Sequence, residues 1–371
     1  MIKFFIISGD ALTLLNCTVE LRLTEKHTEN QTPKTLKNMK WLLVKPRNTK
    51  TTLLQFSSIS FVRPFSSAAA DASNPTSVHP TAIVHPNATL GQGVSIGPFC
   101  IVGSSAKLGN ACKLNPGSHI FGHTQLGDNC ILMTGAVVGD ELPGKTIIGS
   151  NNVIGHHAVV GVKCQDLKYK DGEECFLDIG DNNDIREFSS IHRSSKPNDQ
   201  TVIGHNNLIM GSCHVAHDCK IGNNNILANN TLLAGHIVVG DYIHTAGATV
   251  VHQYCHLGSF CFIGGGSVVS QDVPKFMMVS GDRAELRGLN SEGLRRRGFS
   301  AAEVKGLRAA YRKIFMPTNT ESGNIEDRLN ELEQHEELGQ VPVICSMVQS
   351  IRDSFSESRR GICKFRHRNT S

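Results

Sequence analysis

Aromatic side chains are scarce: Phe, Tyr and Trp make up 6% of the 371 residues, with a single Trp. That is little ring mass for a conventional core of this length, and it favours repeat architectures, in which each unit buries its face on the next. The 12 cysteines form no CxxC pair. Many of them fall at small, apolar repeat positions, so they read as reduced core residues rather than a disulfide framework or a zinc site. No apolar run reaches the roughly 20 residues of a membrane span, since Asp10 interrupts the first candidate. A net positive charge is missing from the body of the chain. Setting residues 1–67 aside turns the formal +4 into about −2, whereas a nucleic-acid binder concentrates basic residues on its folded part.

Acid is absent from one stretch. Met39–Ser67 carries Lys40, Lys45, Arg47, Lys50 and Arg63 with no Asp or Glu, among Ser and Leu. That composition describes an organelle transit peptide, with removal near Arg63–Ala70. The basic spacing and FVRPFSS favour a mitochondrial address over a plastid one. Met39 offers an alternative start, which would leave residues 1–38 as upstream sequence. The expected organisation is a 1–67 extension, a 68–77 linker, a repeat domain over 78–272 and a C-terminal domain over 273–371.

What the chain has in quantity is a period of six. Aliphatic residues stand at every sixth position from Val78 to Val138, and again from Ile203 to Val269, with Thr245 the single departure in the second run. Six fits neither an ordinary helix nor a hairpin meander, but it is the period of a parallel β-helix. Three hexads make one triangular coil, so residues 18 apart stack at about 4.8 Å. Asp140–Lys145, Lys163–Asp178 and a stretch before Ile203 interrupt the phase as corner loops, natural places for substrate contacts. Pro274 is expected to end the ladder. Ser300 with Glu303 makes a capping box ahead of an amphipathic helix carrying Val304, Leu307, Tyr311, Ile314 and Phe315, and further helical patterns run near Ile325–Leu338 and Val343–Phe355. The fold class is therefore an all-β, left-handed parallel β-helix of hexapeptide repeats followed by a small α-helical C-terminal domain.

Stacking at 18 converts spacing into chemistry. Asp218 lies 18 before His236, and His236 and His252–Gln253 fall within one residue of the positions stacked on His217. These residues form a polar column along one edge. Solvated turn residues would account for any one histidine; a column in register beside an aspartate points instead to an imidazole held as a base.

Eight motifs occur in order: QDLKY (165–169), IHR (191–193), HVAHDC (214–219), LANN (227–230), LAGH (233–236), VHQY (251–254), QDVP (271–274) and EGLRRRGFS (292–300). On them the chain, over 78–371, resembles the UDP-N-acetylglucosamine O-acyltransferases. In Gram-negative bacteria these enzymes begin lipid A synthesis. The resemblance implies transfer of an (R)-3-hydroxyacyl group from the phosphopantetheine of acyl carrier protein to the glucosamine 3-hydroxyl. It implies neither a metal nor a further cofactor. It assigns His217 as general base, Asp218 as its orienter and Gly235 as the backbone N–H facing the oxyanion. His214, His236, His252 and Gln253 would meet the sugar nucleotide or acyl group, and Asp166 and Lys168 the sugar and phosphates. Asn290, Glu292, Arg296 and Arg297 would meet nucleotide or phosphopantetheine, and Gly265 the floor of the acyl groove. A homotrimer with sites between subunits is implied as well, and Lys305, Arg308 and Arg312 form a helical face that an acidic carrier could meet.

Two segments depart from the family pattern. Asp140–Val160 reads as an inserted coil, and Gly281–Arg287 differs from the usual sequence. A related hexapeptide N-acyl- or acetyltransferase, and a non-catalytic β-helix assembly subunit, are the competing readings.

Overall fold

A computed structural model describes residues 75–317 and 323–364. The expected transit peptide lies outside the described residues. Each hexad supplies a two-residue strand and a four-residue corner, as at His214–Val215 and Leu232–Leu233. These strands pair in parallel, His214 with Leu232 and Val215 with Leu233, so the coil repeats at 18. Strands this short hold no sheet by themselves; stacking on the coils above and below supplies the pairing. Three sheets of 12, 10 and 9 strands result, and they form the faces of a left-handed parallel β-helix.

The hexad aliphatics point inward. Ile120, Leu132, Ile209, Leu227 and Ile263 are fully buried. Thr245, the exception in the ladder, is buried too. Its Oγ1 lies 2.7 Å from Thr231 Oγ1 and accepts from the Ala228 N–H at 3.1 Å, so its hydroxyl costs the core little. Corner residues take left-handed backbone, for example Asp218 (φ 60°), His236 (φ 60°) and Tyr254 (φ 65°). No glycine sits at these three, so neighbouring contacts must offset a strain of roughly 1–2 kcal/mol each.

The three interruptions leave the stack intact. Across the first, Ile131 pairs with Val153; across the second, Val153 with Asp184; across the third, Ser190 with His214. One buried residue ties the first loop down. The Arg193 side chain, wholly inaccessible, donates to Thr146 Oγ1 (2.9 Å) and to the carbonyls of Leu142 and Asp140 (both 3.3 Å).

Pro274 does not end the ladder as expected. Val273 bridges Leu257 in parallel, and Met277–Ser280 then pairs in parallel with Phe262–Ile263 before turning back antiparallel through Glu285–Leu289. The proline falls at a corner, where its missing N–H breaks no strand bond. Among the described residues four helices follow: α1 (Ser291–Arg296), α2 (Ala301–Phe315), α3 (Ile325–Glu333) and α4 (Pro342–Asp353). The Ser300–Glu303 capping box opens α2 as expected. Leu307, Ile314, Leu332 and Met347 join the same apolar core as the last coils.

Candidate active site

The HVAHDC corner places His217 and Asp218 side by side on one turn, both nearly buried at 5% and 3% exposure. Asp218 Oδ2 lies 2.7 Å from His217 Nδ1. The loop before Ile203 closes on the same carboxylate: Ser195 donates through Oγ at 2.6 Å and through its N–H at 3.1 Å. One coil on, His236 Nε2 stands 3.5 Å from Asp218 Oδ2, with its ring edge-on to that of His217 at 5.2 Å. Burial alone would raise the Asp218 carboxyl. Bonds from His217 and Ser195, with the field of His236, outweigh it and hold the group below its ordinary value. An ionised, fully partnered carboxylate fixes the imidazole with Nδ1 inward and Nε2 facing out.

Nε2 faces a hollow of about 470 Å³ lined by the second loop (Gln165, Asp166, Leu167, Lys168) and by His192, His214, Ala216, Ala234, Gly235 and Gln253. Asp166 Oδ2 stands 3.8 Å from His217 Nε2. Gly235 roofs the imidazole: a Cβ there would sit 2.5 Å from His217 Cε1 and 2.7 Å from Nε2. Among the described residues nothing accepts from the Gly235 N–H, so that donor is left for a ligand. His217, Asp218 and His236 could offer a metal ion three atoms within 4.8 Å of one another. The 2.7 Å bond within the group instead fits a base and its orienter.

Two of the site's residues were not on the sequence-derived roster. Ser195 belongs to a loop whose return onto Asp218 has no periodic signal. His192 lies in the IHR motif without having been singled out, although position 192 stacks beside the His214 strand. Its ring meets His214 edge-on at 4.7 Å, and its buried Nδ1 has no partner. Burial, then His214 and His217, push it down to about 4, so it is neutral at pH 7. Burial likewise lowers His214, which bonds Ser190 Oγ at 2.7 Å, and it lowers His236 despite Asp218.

The remaining candidates sit elsewhere within the single chain. His252 shares the corner with Gln253 but does not line the hollow, and neither does Gly265, where an added Cβ would meet Gly247 O at 3.3 Å. Arg296 and Arg297 line a second hollow of about 510 Å³ with Tyr242, Phe260 and Phe299. Arg297 lies over the Tyr242 ring at 4.8 Å. Asn290 is the N-cap of α1: its Oδ1 accepts from the Gly293 N–H and its Nδ2 donates to Phe260 O, both at 3.0 Å. Glu292 pairs with Arg295 and Arg296 at 2.8 Å. Both side chains thus have structural partners already.

Known proteins resemble this chain in sequence and fold. A family described as UDP-N-acetylglucosamine O-acyltransferase, domain 2, matches residues 272–363, and bacterial transferase hexapeptide repeats match 200–235. An Arabidopsis thaliana protein named a probable mitochondrial acyl-(acyl-carrier-protein)–UDP-N-acetylglucosamine O-acyltransferase is 70% identical over 249 residues, 67% of this chain and 74% of that one. The solved structure of an Arabidopsis UDP-N-acetylglucosamine acyltransferase superposes with a TM-score of 0.77 at 74% identity, covering 77% of this chain and all of the other. A structure from Acinetobacter baumannii reaches 0.62 at 38% identity, over 77% and 99% of the two chains. With its motifs, its coil and its buried imidazole–carboxylate pair all in this register, the chain belongs to the UDP-N-acetylglucosamine O-acyltransferase family.

Proposed function

We propose that the chain transfers an (R)-3-hydroxyacyl group from acyl carrier protein to the 3-hydroxyl of UDP-N-acetylglucosamine, the first step of lipid A-type biosynthesis. The observation that carries this reading is the 2.7 Å His217–Asp218 pair presenting Nε2 to a hollow roofed by Gly235. A sugar hydroxyl is a poor nucleophile at neutral pH. His217 Nε2 takes its proton as the oxygen attacks the thioester carbonyl, and Asp218 stabilises the imidazolium formed. Negative charge collects on the carbonyl oxygen, where the free Gly235 N–H serves as donor. Collapse forms the ester, breaks the C–S bond, and returns the proton from His217 to the departing phosphopantetheine sulfur. The chemistry asks for no nucleophilic side chain, metal or further cofactor.

Asp166 and Lys168 on the loop, with His192, His214 and Gln253, serve as contacts for the sugar nucleotide and acyl group. Arg296 and Arg297 bind phosphate, Arg being suited to bidentate contacts. In one chain these arginines line a different hollow from His217, which supports assembly of the full site between subunits. The ten-stranded sheet supports a trimer as well: seven of its ten outward positions are apolar, Ile83, Ile101, Val137, Val159, Leu232, Val250 and Val268, with His119, Ser190 and His214 between them. Residues 39–67 direct the chain to the mitochondrion, a reading supported by the name of the Arabidopsis relative.

Mass spectrometry of reactions containing UDP-N-acetylglucosamine and a series of 3-hydroxyacyl carrier proteins tests the activity. The expected product is the 3-O-acyl sugar nucleotide. Turnover with acetyl-CoA alone, or none with any donor, would overturn the reading. Light scattering should return three times the mass of the single chain.

A further inference from the structure

Along the uninterrupted coils from Asn224 to Gly266, each corner is tied to the coil before it by one backbone bond, from a residue to the carbonyl 19 positions earlier. His236 N–H donates to His217 O at 3.0 Å, and Tyr254 N–H to Gly235 O at 3.3 Å. The next member of this series would be Asp272 N–H to Gln253 O. It does not form, because the prism is ending: the Asp272 N–H donates to Gly361 O instead, at 2.8 Å. Gln253–Tyr254 is thus the last corner in its column, and the shortened coil that follows donates no backbone bond to the Gln253 carbonyl.

The end of the chain supplies what the shortened coil does not. Arg360 Nη1 donates to Gln253 O at 3.2 Å, and its Nε to Ser270 O at 2.8 Å. Arg359 Nη2 donates to Tyr254 O at 3.0 Å. Arg359 is itself fixed by a two-point pair with the Asp272 carboxylate, through Nε at 3.0 Å and Nη2 at 2.6 Å. Asp272, almost fully buried, also accepts from the His256 N–H at 2.8 Å, fastening the far side of the same corner. Gln253 lines the His217 hollow. Tyr254, in left-handed backbone, stacks on His236 at 4.8 Å with ring planes 5° apart, and His236 in turn reaches Asp218.

We propose that Arg359 and Arg360 are positioning residues for acyl transfer: they cap the open end of the catalytic column and hold Gln253 and Tyr254 where the site needs them. Neither lines the His217 hollow, and both act through this corner. The inference rests on the acyl-transfer reading. Two different nitrogens of one planar guanidinium, Nη1 and Nε, meet the Gln253 and Ser270 carbonyls, a fixed fork that a lysine does not present.

The test uses the full chain and the acyl-carrier assay. Arg360 is exposed, so Arg360→Ala should remain folded, with an unchanged circular dichroism spectrum. Its kcat/KM should fall about 5- to 10-fold, because a small misplacement in a positioned site is costly, and Arg360→Lys should recover little of it. Arg359→Lys, which keeps a charge beside Asp272, should lose a similar factor without unfolding. In a Gln253→Ala background, which keeps the carbonyl that Arg360 meets but removes the side chain it positions, the Arg360→Ala loss should shrink to less than about twofold. Normal turnover by wild type alongside an Arg360→Ala variant within twofold of it overturns the inference and leaves the acyl-transfer reading standing. An equal loss in both backgrounds overturns it too, by assigning the arginine a merely structural role. Absence of product from wild type overturns both.

Discussion

At one corner of the prism Asp218, His236 and Tyr254 follow one another coil by coil; at another Asn224, Tyr242, Phe260 and then Phe276 do so. All seven take left-handed backbone, with φ between 58° and 70°. Ring stacking runs up both columns, His236 on Tyr254 at 4.8 Å and Tyr242 on Phe260 at 5.0 Å. Each such pair contributes about 0.5–1.5 kcal/mol, which helps offset corner strain. The columns end differently. The first closes on a buried, fully partnered carboxylate that orders an imidazole. The second carries aromatic faces beneath the Arg297 guanidinium, with Phe299 edge-on to Phe260 at 5.0 Å. One backbone slot therefore carries a carboxylate that orders an imidazole at one corner and a stack of aromatic rings under a guanidinium at the other, according to its side chain.

That contrast is sharpest at His217. His217→Ala should lower kcat by about 10²–10⁴-fold, the usual contribution of a general base, with an unchanged circular dichroism spectrum. Retention of activity would remove the division of labour between the corners. Gly235→Ala follows, because the new Cβ would overlap the imidazole at 2.5 Å. Steady-state kinetics should show a loss on the order of 10²-fold, as expected when a reacting group is pushed aside by about an ångström.

The third expected effect is on stability. His192 titrates near 4 in the folded chain against an ordinary value near 6.5. The folded state therefore resists the proton that the unfolded state accepts. Stability is fully present above about pH 6.5 and is lost as pH falls toward 4, by up to about 3 kcal/mol. Thermal unfolding across that window should show the loss, and His192→Gln should flatten it. Ser195→Ala removes one of the bonds that order Asp218, and should cost roughly tenfold in kcat, about the worth of one charge-assisted hydrogen bond. At the aromatic corner, Arg297→Ala should raise KM for the sugar nucleotide about three- to fivefold with little change in kcat, as loss of an exposed cation–π and phosphate contact would. A kcat defect there would erase the distinction.

Much of this was readable in advance. The imidazole–carboxylate pair, its coil-to-coil alignment with His236 and the α2 capping box all follow from local spacing. Arg193 shows where legibility stops. In sequence it is a motif arginine; in the fold it is a buried guanidinium satisfied by Thr146 and two loop carbonyls contributed from about 50 positions earlier. The family resemblance implies a ligand contact for Asn290; only the fold shows that its amide also caps α1 and bonds the Phe260 carbonyl. Pro274 was read as a terminator because corner and strand cannot be told apart once the hexads lose phase.

The amino-acid order alone determined the coil, its 18-residue stacking and the corner that carries the base. Strands two residues long leave the repeat as the one pattern that buries the sixth-position aliphatic side chains from Ile96 to Val269. Tertiary structure alone decided which loops return to that corner, why Ser195 rather than another hydroxyl secures Asp218, and how the chain's end caps the column. Such contacts join segments with no common period, and their partners are set only once the stack exists to receive them.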